Sequence, residues 1–116
     1  MGRPYTGRRR PWIGRSLVPS DEVTIADRPE HGRYELELDG RLVGVLTYRL
    51  DQASKVIAHR HTEIEPAAGG RGLGSQLVRF ALDDARGRGL AVKPLCPFVT
   101  AFIEGHPEYA DLVSVP

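Results

Sequence analysis

From Arg33 to Asp39 apolar and polar residues alternate. Tyr34, Leu36 and Leu38 fall on one side of an extended chain, with Glu35, Glu37 and Asp39 on the other. A period of two marks a half-buried strand. Asp39-Gly40 follows, a dipeptide suited to a tight two-residue hairpin because glycine accepts positive φ, and Leu42–Leu50 reads as the returning strand. Val23–Ala26 is a short β-rich run ahead of it. Asp51–Ser54 is a second turn, and Lys55–Glu65 is a long third partner stopped by Pro66. The pattern predicts an antiparallel meander. After a small-residue loop, AAGGRG at 67–72, the period changes: apolar residues fall at 73, 77, 78, 81, 82 and 85, which is helix spacing, with Arg79, Asp83 and Arg86 opposite. Gly87 and Gly89 end that helix. Leu90–Lys93 is a short strand, and Pro97–Glu104 a second helix with proline in its first turn. A strand–helix–strand unit requires its two strands to be parallel, with a right-handed crossover. The predicted fold class is therefore mixed α+β, a meander followed by a βαβ unit.

Composition adds limits. The chain has 116 residues, enough for one domain, and its 41% hydrophobic and 27% charged residues are ordinary for a globular protein. No apolar run approaches the ~20 residues of a membrane span, so no membrane partner is expected. The single cysteine, Cys96, excludes an internal disulfide framework and a Cys-rich zinc site, and a lone thiol suits a reducing, cytoplasmic setting. Charge is uneven. Residues 1–20 carry Arg3, Arg8, Arg9, Arg10 and Arg15 and no acid, whereas the remainder has a net charge of −4. With three prolines and three glycines, this segment reads as a basic, disordered arm ahead of a domain at 21–116. A nucleic-acid-binding arm is the sharper alternative to a solvated tail. Only Tyr5 and Trp12 could stack on bases there, so nucleic acid is not counted among the expected partners.

The main chemical signal is the passage from strand to helix through GGRGLGS. Glycines let backbone approach a ligand closely, and the unpaired N–H groups of a helix's first turn, reinforced by its dipole, favour an anion. A pyrophosphate is a natural guest. The motif is not a Walker loop, and Gly70, Gly72 and Gly74 alternate rather than follow the dinucleotide-binding spacing.

The stretch HTEIEPAAGGRGLGSQLVRFALDDARGRGLAVKPLCPFVTAFIEGHPEYADLV, extending back into RYELELDGRLVGVLTYRL, resembles the GNAT superfamily of N-acetyltransferases, and more narrowly its minimal single-domain YjdJ-type branch. The resemblance covers roughly residues 23–113. It implies a twisted mixed sheet whose fourth and fifth strands splay apart, with acetyl-CoA as cofactor inserted between them. Carried over by position, Ile64 and Glu65 would offer backbone groups to the pantetheine. The backbone of Gly69, Gly70, Arg71, Gly72, Leu73, Gly74 and Ser75 would hold the pyrophosphate. Gly69 stands where the superfamily signature has Arg or Gln, and the adjacent Arg71 would supply the charge instead.

Acetyl transfer needs a neutral amine, a stabilised oxyanion and a proton for the leaving thiolate. Many superfamily members resemble one another in using a tyrosine of the last helix as the acid. Phe102 stands at that position here, and Tyr109, seven residues on, is a stand-in. Cys96 matches the cysteine of the family's CPFV segment. Just before a helix start, its thiol pKa would fall and its nucleophilicity rise, allowing either an acetyl-Cys intermediate or assistance to direct transfer. Alternation along 55–65 sets His59, His61 and Glu63 on one face, with Val56, Ala58, Arg60, Thr62 and Ile64 on the other. His61 matches the family's HTE histidine and is a candidate base, or a group that orients Cys96. His59, His61 and Glu63 form a possible metal triad, but no fourth ligand is evident and no metal is expected. His106, in HPEY, is explained as well by helix termination and packing as by catalysis.

Only six residues, DRPEHG, separate the first two strands, too few for the two helices that shape the acceptor pocket in larger members. The acceptor side should be open. The expected function is acetyl-CoA-dependent transfer to an amine of unknown identity, with Cys96 and His61 carrying the chemistry. The alternative is a CoA-binding or protein-interaction module without catalysis on the same fold.

Overall fold

The computed structural model describes residues 22–114, so the basic arm at 1–20 lies outside the described residues. Five strands form one sheet in chain order: β1 (Val23–Arg28), β2 (Arg33–Leu38), β3 (Arg41–Asp51), β4 (Val56–Ile64) and β5 (Ala91–Pro94). The first four are antiparallel; β5 pairs parallel with β4 over Val56–His59. Helix α1 (Leu73–Gly87) makes the crossover, and α2 (Pro97–Gly105) follows β5. Between β1 and β2 there is a single 3-10 turn, Pro29–His31.

Local chemistry explains these boundaries. Asp39 and Gly40 both take positive φ (54° and 84°), which closes the β2–β3 hairpin. The Asp51 carboxylate accepts hydrogen bonds from the N–H groups of Ala53 and Ser54 and shapes the next turn. Helix α1 buries Leu73, Leu77, Val78, Ala81, Leu82 and Ala85 against the sheet. It stops at Gly89, left-handed at φ 69°, where Leu90 N–H reaches Ala85 O and Gly89 N–H reaches Arg86 O. Those paired bonds are the Schellman closure that glycine permits.

The register of β4 departs from simple alternation. Thr47 on β3 pairs with His61 and Tyr48 pairs with His59, so Arg60 is an extra residue on β4. Such a bulge reverses which side chains face the core. Before it Ile57 and His59 are fully buried; after it Thr62 and Ile64 are partly buried, while Arg60, His61 and Glu63 are exposed. The face shared by His59, His61 and Glu63 in the sequence reading is therefore corrected. His59 turns into the core beside Tyr34 and the other two turn to the opposite side. Alternation still separated Thr62 and Ile64 from His61, as observed.

A polar chain ties the far end of α1 to the sheet. Tyr34 donates to Asp84 at 2.7 Å, Arg88 donates to Asp84 at 2.8 Å and to Asp27 at 3.4 Å, and Tyr48 donates to Asp27 at 2.6 Å. Burial and these carboxylates push both phenols well above the ordinary tyrosine range. The HPEY segment forms a second tie. Tyr109 donates to Asp83 at 2.7 Å and accepts from Arg79 at 3.2 Å; Arg86 holds Asp111 with two hydrogen bonds and the Glu108 carbonyl with a third. His106 stacks on Phe102 and shares a 2.7 Å hydrogen bond with its carbonyl. The motif thus latches the chain's last turn onto α1.

His59 is the one buried polar or charged residue among those described, and neither ring nitrogen has a hydrogen-bond partner there. It meets the Tyr34 ring edge-on at 6.4 Å between centroids. Burial lowers its pKa from 6.5 to about 4. The unfolded chain takes up this proton near the ordinary value, while the fold resists it until about pH 4. Stability is thus full above the unfolded pKa and is lost as the pH falls toward 4, by about 3 kcal/mol at ~1.4 kcal/mol per unit. Urea unfolding across that range should show the decline in the wild type and a markedly flatter profile in His59→Leu. An unchanged profile in the variant would assign the acid sensitivity to other groups.

Candidate active site

Strands β4 and β5 part at a definite residue. The His59 carbonyl accepts hydrogen bonds from both Leu95 N–H and Cys96 N–H, each at 3.0 Å. The Leu95 N–H is the last regular rung from β5 to β4, and with Cys96 N–H on the same carbonyl the chain turns away. Pro97 then opens α2, with Thr100 N–H bonded to Cys96 O at 3.0 Å and the Thr100 hydroxyl to Pro94 O at 3.1 Å. β4 runs on to Ile64 without β5 beside it. The two backbones thus diverge as a wedge, with β4 on one side, the start of α2 on the other, and the glycine loop at the outer end.

Cys96 sits at the apex, 3% exposed. Its thiol donates to Thr62 Oγ1 at 3.4 Å, a hydroxyl that can turn and donate to the thiolate instead. Burial pushes the thiol pKa up. The Thr62 hydroxyl, then the N–H groups of Val99 and Phe98 in the first turn of α2 and of Thr62, outweigh it, so the net shift is downward. No side chain caps this helix, so its first-turn dipoles act on the sulfur without a competing cap. His61, by contrast, lies on the opposite face, paired with Thr47. Thr62 occupies the position beside the thiol that the sequence reading had offered to His61. Alternation alone gave no reason to choose Thr62; the bulge at Arg60 supplies it.

At the outer end, Pro66–Ala68 form a 3-10 turn and α1 begins at Leu73 with Gly72 as its N-cap. Gly70 and Gly72 are left-handed, at φ 80° and 74°. No side chain caps the first turn and no acidic residue lies in it, so the amides at Leu73, Gly74 and Ser75 meet no competing carboxylate there. Gly69 has ordinary extended geometry. Gly74 has no positive φ, and its reason is steric: a Cβ there would lie 2.9 Å from Phe98 Cζ and 3.6 Å from Ile64 Cγ1. Gly44 likewise leaves room for Ile64 Cδ1, which a Cβ would meet at 2.6 Å.

Glu65 is already engaged. Its N–H donates to Val43 O at 2.7 Å, its carbonyl accepts from Ala68 N–H at 2.9 Å, and its carboxylate pairs with Arg41 at 2.6 Å. Its N–H is thus taken up by β3, which leaves its carbonyl, with a second lone pair, as the backbone group it could offer beside Ile64. The Arg41 pair is exposed and adds little stability, but it offsets a negative charge beside the loop. Tyr109, the stand-in acid, is committed to Asp83, and burial together with that bond raises its pKa. Phe102 is packed under His106 and Arg79.

The sequence profile described as GCN5-related N-acetyl-transferase matches residues 33–112, more than two-thirds of the chain. The chain belongs to that family. As a member it is an acyltransferase, with the mixed sheet and parting strands of the fold. The solution structure of a GCN5-like protein from Staphylococcus aureus is similar at a TM-score of 0.60 and 21% identity, over 85% of this chain and 93% of that one. The crystal structure of the ribosomal-protein-S18-alanine N-acetyltransferase from Escherichia coli is similar at 0.54 and 17% identity, over 63% of this chain and 49% of that one. At these identities the likeness is one of fold. A comparison with curated protein sequences finds no significant match.

In this GCN5-related chain the Thr62 hydroxyl is the side chain hydrogen-bonded to the thiol. Thr62→Val keeps the shape and removes the hydrogen bond. The pH profile of Cys96 alkylation should then move to higher pH and the rate at neutral pH should fall. An unmoved profile would assign the low thiol pKa to the helix amides alone.

Proposed function

We propose that the protein is an acetyl-CoA-dependent N-acetyltransferase in which Cys96 takes up the acetyl group and passes it to an amine. One observation carries this reading: the chain's only cysteine lies buried at the apex of the wedge, hydrogen-bonded to Thr62 and beside the amides that start α2. The residues present suit the cofactor, since two left-handed glycines and an uncapped, acid-free helix start form a backbone cradle for a pyrophosphate. Gly69, Gly70, Arg71, Gly72, Leu73, Gly74 and Ser75 would hold it, with Ile64 beside the pantetheine.

Bound acetyl-CoA supplies an activated acetyl thioester. The Cys96 thiolate attacks the acetyl carbonyl, a C–S bond forms to Cys96, and the bond to CoA breaks. The Thr62 hydroxyl favours the attacking thiolate by hydrogen bonding. The acceptor amine then attacks the acetyl-Cys carbonyl, the Cys96 C–S bond breaks, and the amine's proton is released. His61 is the proposed base for that proton. It lies on the exposed face of the sheet, opposite the thiol, so the proton would reach it by way of solvent. Only a 3-10 turn joins β1 to β2. The acceptor side is accordingly open, which suits a flexible or macromolecular amine. The cytoplasm is the proposed compartment, on the strength of a single unpaired thiol.

Calorimetric titration with acetyl-CoA and CoA, followed by intact mass, tests this reading. Micromolar binding is expected, a free energy of about −8 kcal/mol, with a mass gain of one acetyl group that Cys96→Ala abolishes. His61→Ala should keep the gain but slow its discharge to amines. Binding without a gain, yet with turnover on amines, would indicate direct transfer. Binding without either would indicate a CoA-binding module. No binding would overturn the cofactor assignment.

A further inference from the structure

Two residues at the mouth of the wedge are individually unfavourable. Gly74 lies in the first turn of α1 with no positive φ to require it, where alanine is the better helix former. Phe98 is a large apolar side chain left 45% exposed. They make sense together, because the ring lies across the space a Cβ on Gly74 would fill, with Ile64 on its other flank. Phe98 therefore spans from the start of α2 to the start of α1 at the level of Ile64. Thr62, which holds the thiol, is on the same face of β4 one pleat further in, about 7 Å along the strand. An extended chain running from the α1 amides to the Cys96 sulfur must cross the place where the ring lies.

We propose that Phe98 is the gate of this passage: its ring closes the way to Cys96 in the free protein and turns outward to admit the acyl thioester. The part concerning the thioester rests on the function proposed above. The geometry suits a gate more than a fixed wall. The outer side of the ring is already in water, so an outward turn about its side-chain bonds uncovers only the inner side and the surface beneath it. Meanwhile the thiol behind it is almost sealed, at 3% exposure. Gly74 permits the closed position and exerts no hold through a side chain of its own.

The test is the rate at which iodoacetamide alkylates Cys96, read as one adduct by intact mass, since the chain has a single cysteine. Phe98→Ala should react about tenfold faster than wild type, as expected if the open state is roughly one-tenth populated. Phe98→Leu, which keeps bulk over Gly74, should stay near the wild-type rate. Gly74→Ala, whose added methyl would meet the ring at 2.9 Å, should also accelerate alkylation although Phe98 is intact. The rates should not change with urea below the unfolding transition. A Phe98→Ala rate equal to wild type would overturn the gate. So would an acceleration that rises with urea in step with unfolding, because the ring would then be packing alone. Titration of the wild type with CoA is run alongside. Absent CoA binding would remove the cofactor reading and leave alkylation to judge the gate, whereas CoA binding with unchanged Phe98→Ala alkylation would remove the gate alone.

Discussion

One backbone carbonyl organises the molecule. The oxygen of His59 takes the N–H groups of both Leu95 and Cys96, and at that point two strands that had been parallel partners become the two sides of an opening. Each neighbour makes the parting hold. Pro97 starts a helix immediately after Cys96, and the Thr100 hydroxyl bonded to Pro94 O secures the turn into it. On the other strand the bulge at Arg60 turns the chain over, so that Thr62 and Ile64 line the opening. A closed ladder here would give a fully paired sheet and no passage to a buried thiol.

The fold surrounds this parting with supports at a distance from it. The Tyr34–Asp84–Arg88–Asp27–Tyr48 chain and the Tyr109 and Arg86 ties lie toward the C-terminal half of α1. They leave the first turn of that helix uncapped. This division is coherent physically: charged and hydrogen-bonded ties fix one end of a helix, and the amides at its other end stay available to a ligand. His59 belongs to the supporting layer. Its imidazole is held neutral in the core while its carbonyl makes the parting, so the same residue joins the core to the site.

Much of this was legible in the sequence, for reasons that can be stated. Tyr34, Leu36 and Leu38 alternate because one face of β2 is buried, and Asp39-Gly40 could close only a tight turn. The six apolar positions of α1 repeat at helical spacing because a single face meets the sheet. Cys96 and the glycine loop stood out as residue types with few other uses. The bulge at Arg60 left no trace, because a bulge is a property of pairing between strands and strand periodicity assumes it away. That assumption set His59 beside His61 and concealed Thr62. The engagement of the Glu65 amide is hidden for a related reason: its partner is Val43, a residue 22 positions earlier that the register of β3 brings alongside. The fit of Phe98 over Gly74 joins two helices and is equally invisible along one chain.

On the function proposed above, the parting of β4 and β5, from the glycine loop inward to Cys96, is where the protein handles its thioester substrate. Amide chemical-shift mapping during titration with CoA tests it most directly. The account expects the largest shifts at residues 62–75 and 95–98, with β1 and the C-terminal end of α1 little changed. Shifts centred instead on β1, β2 or the opposite sheet face would contradict it.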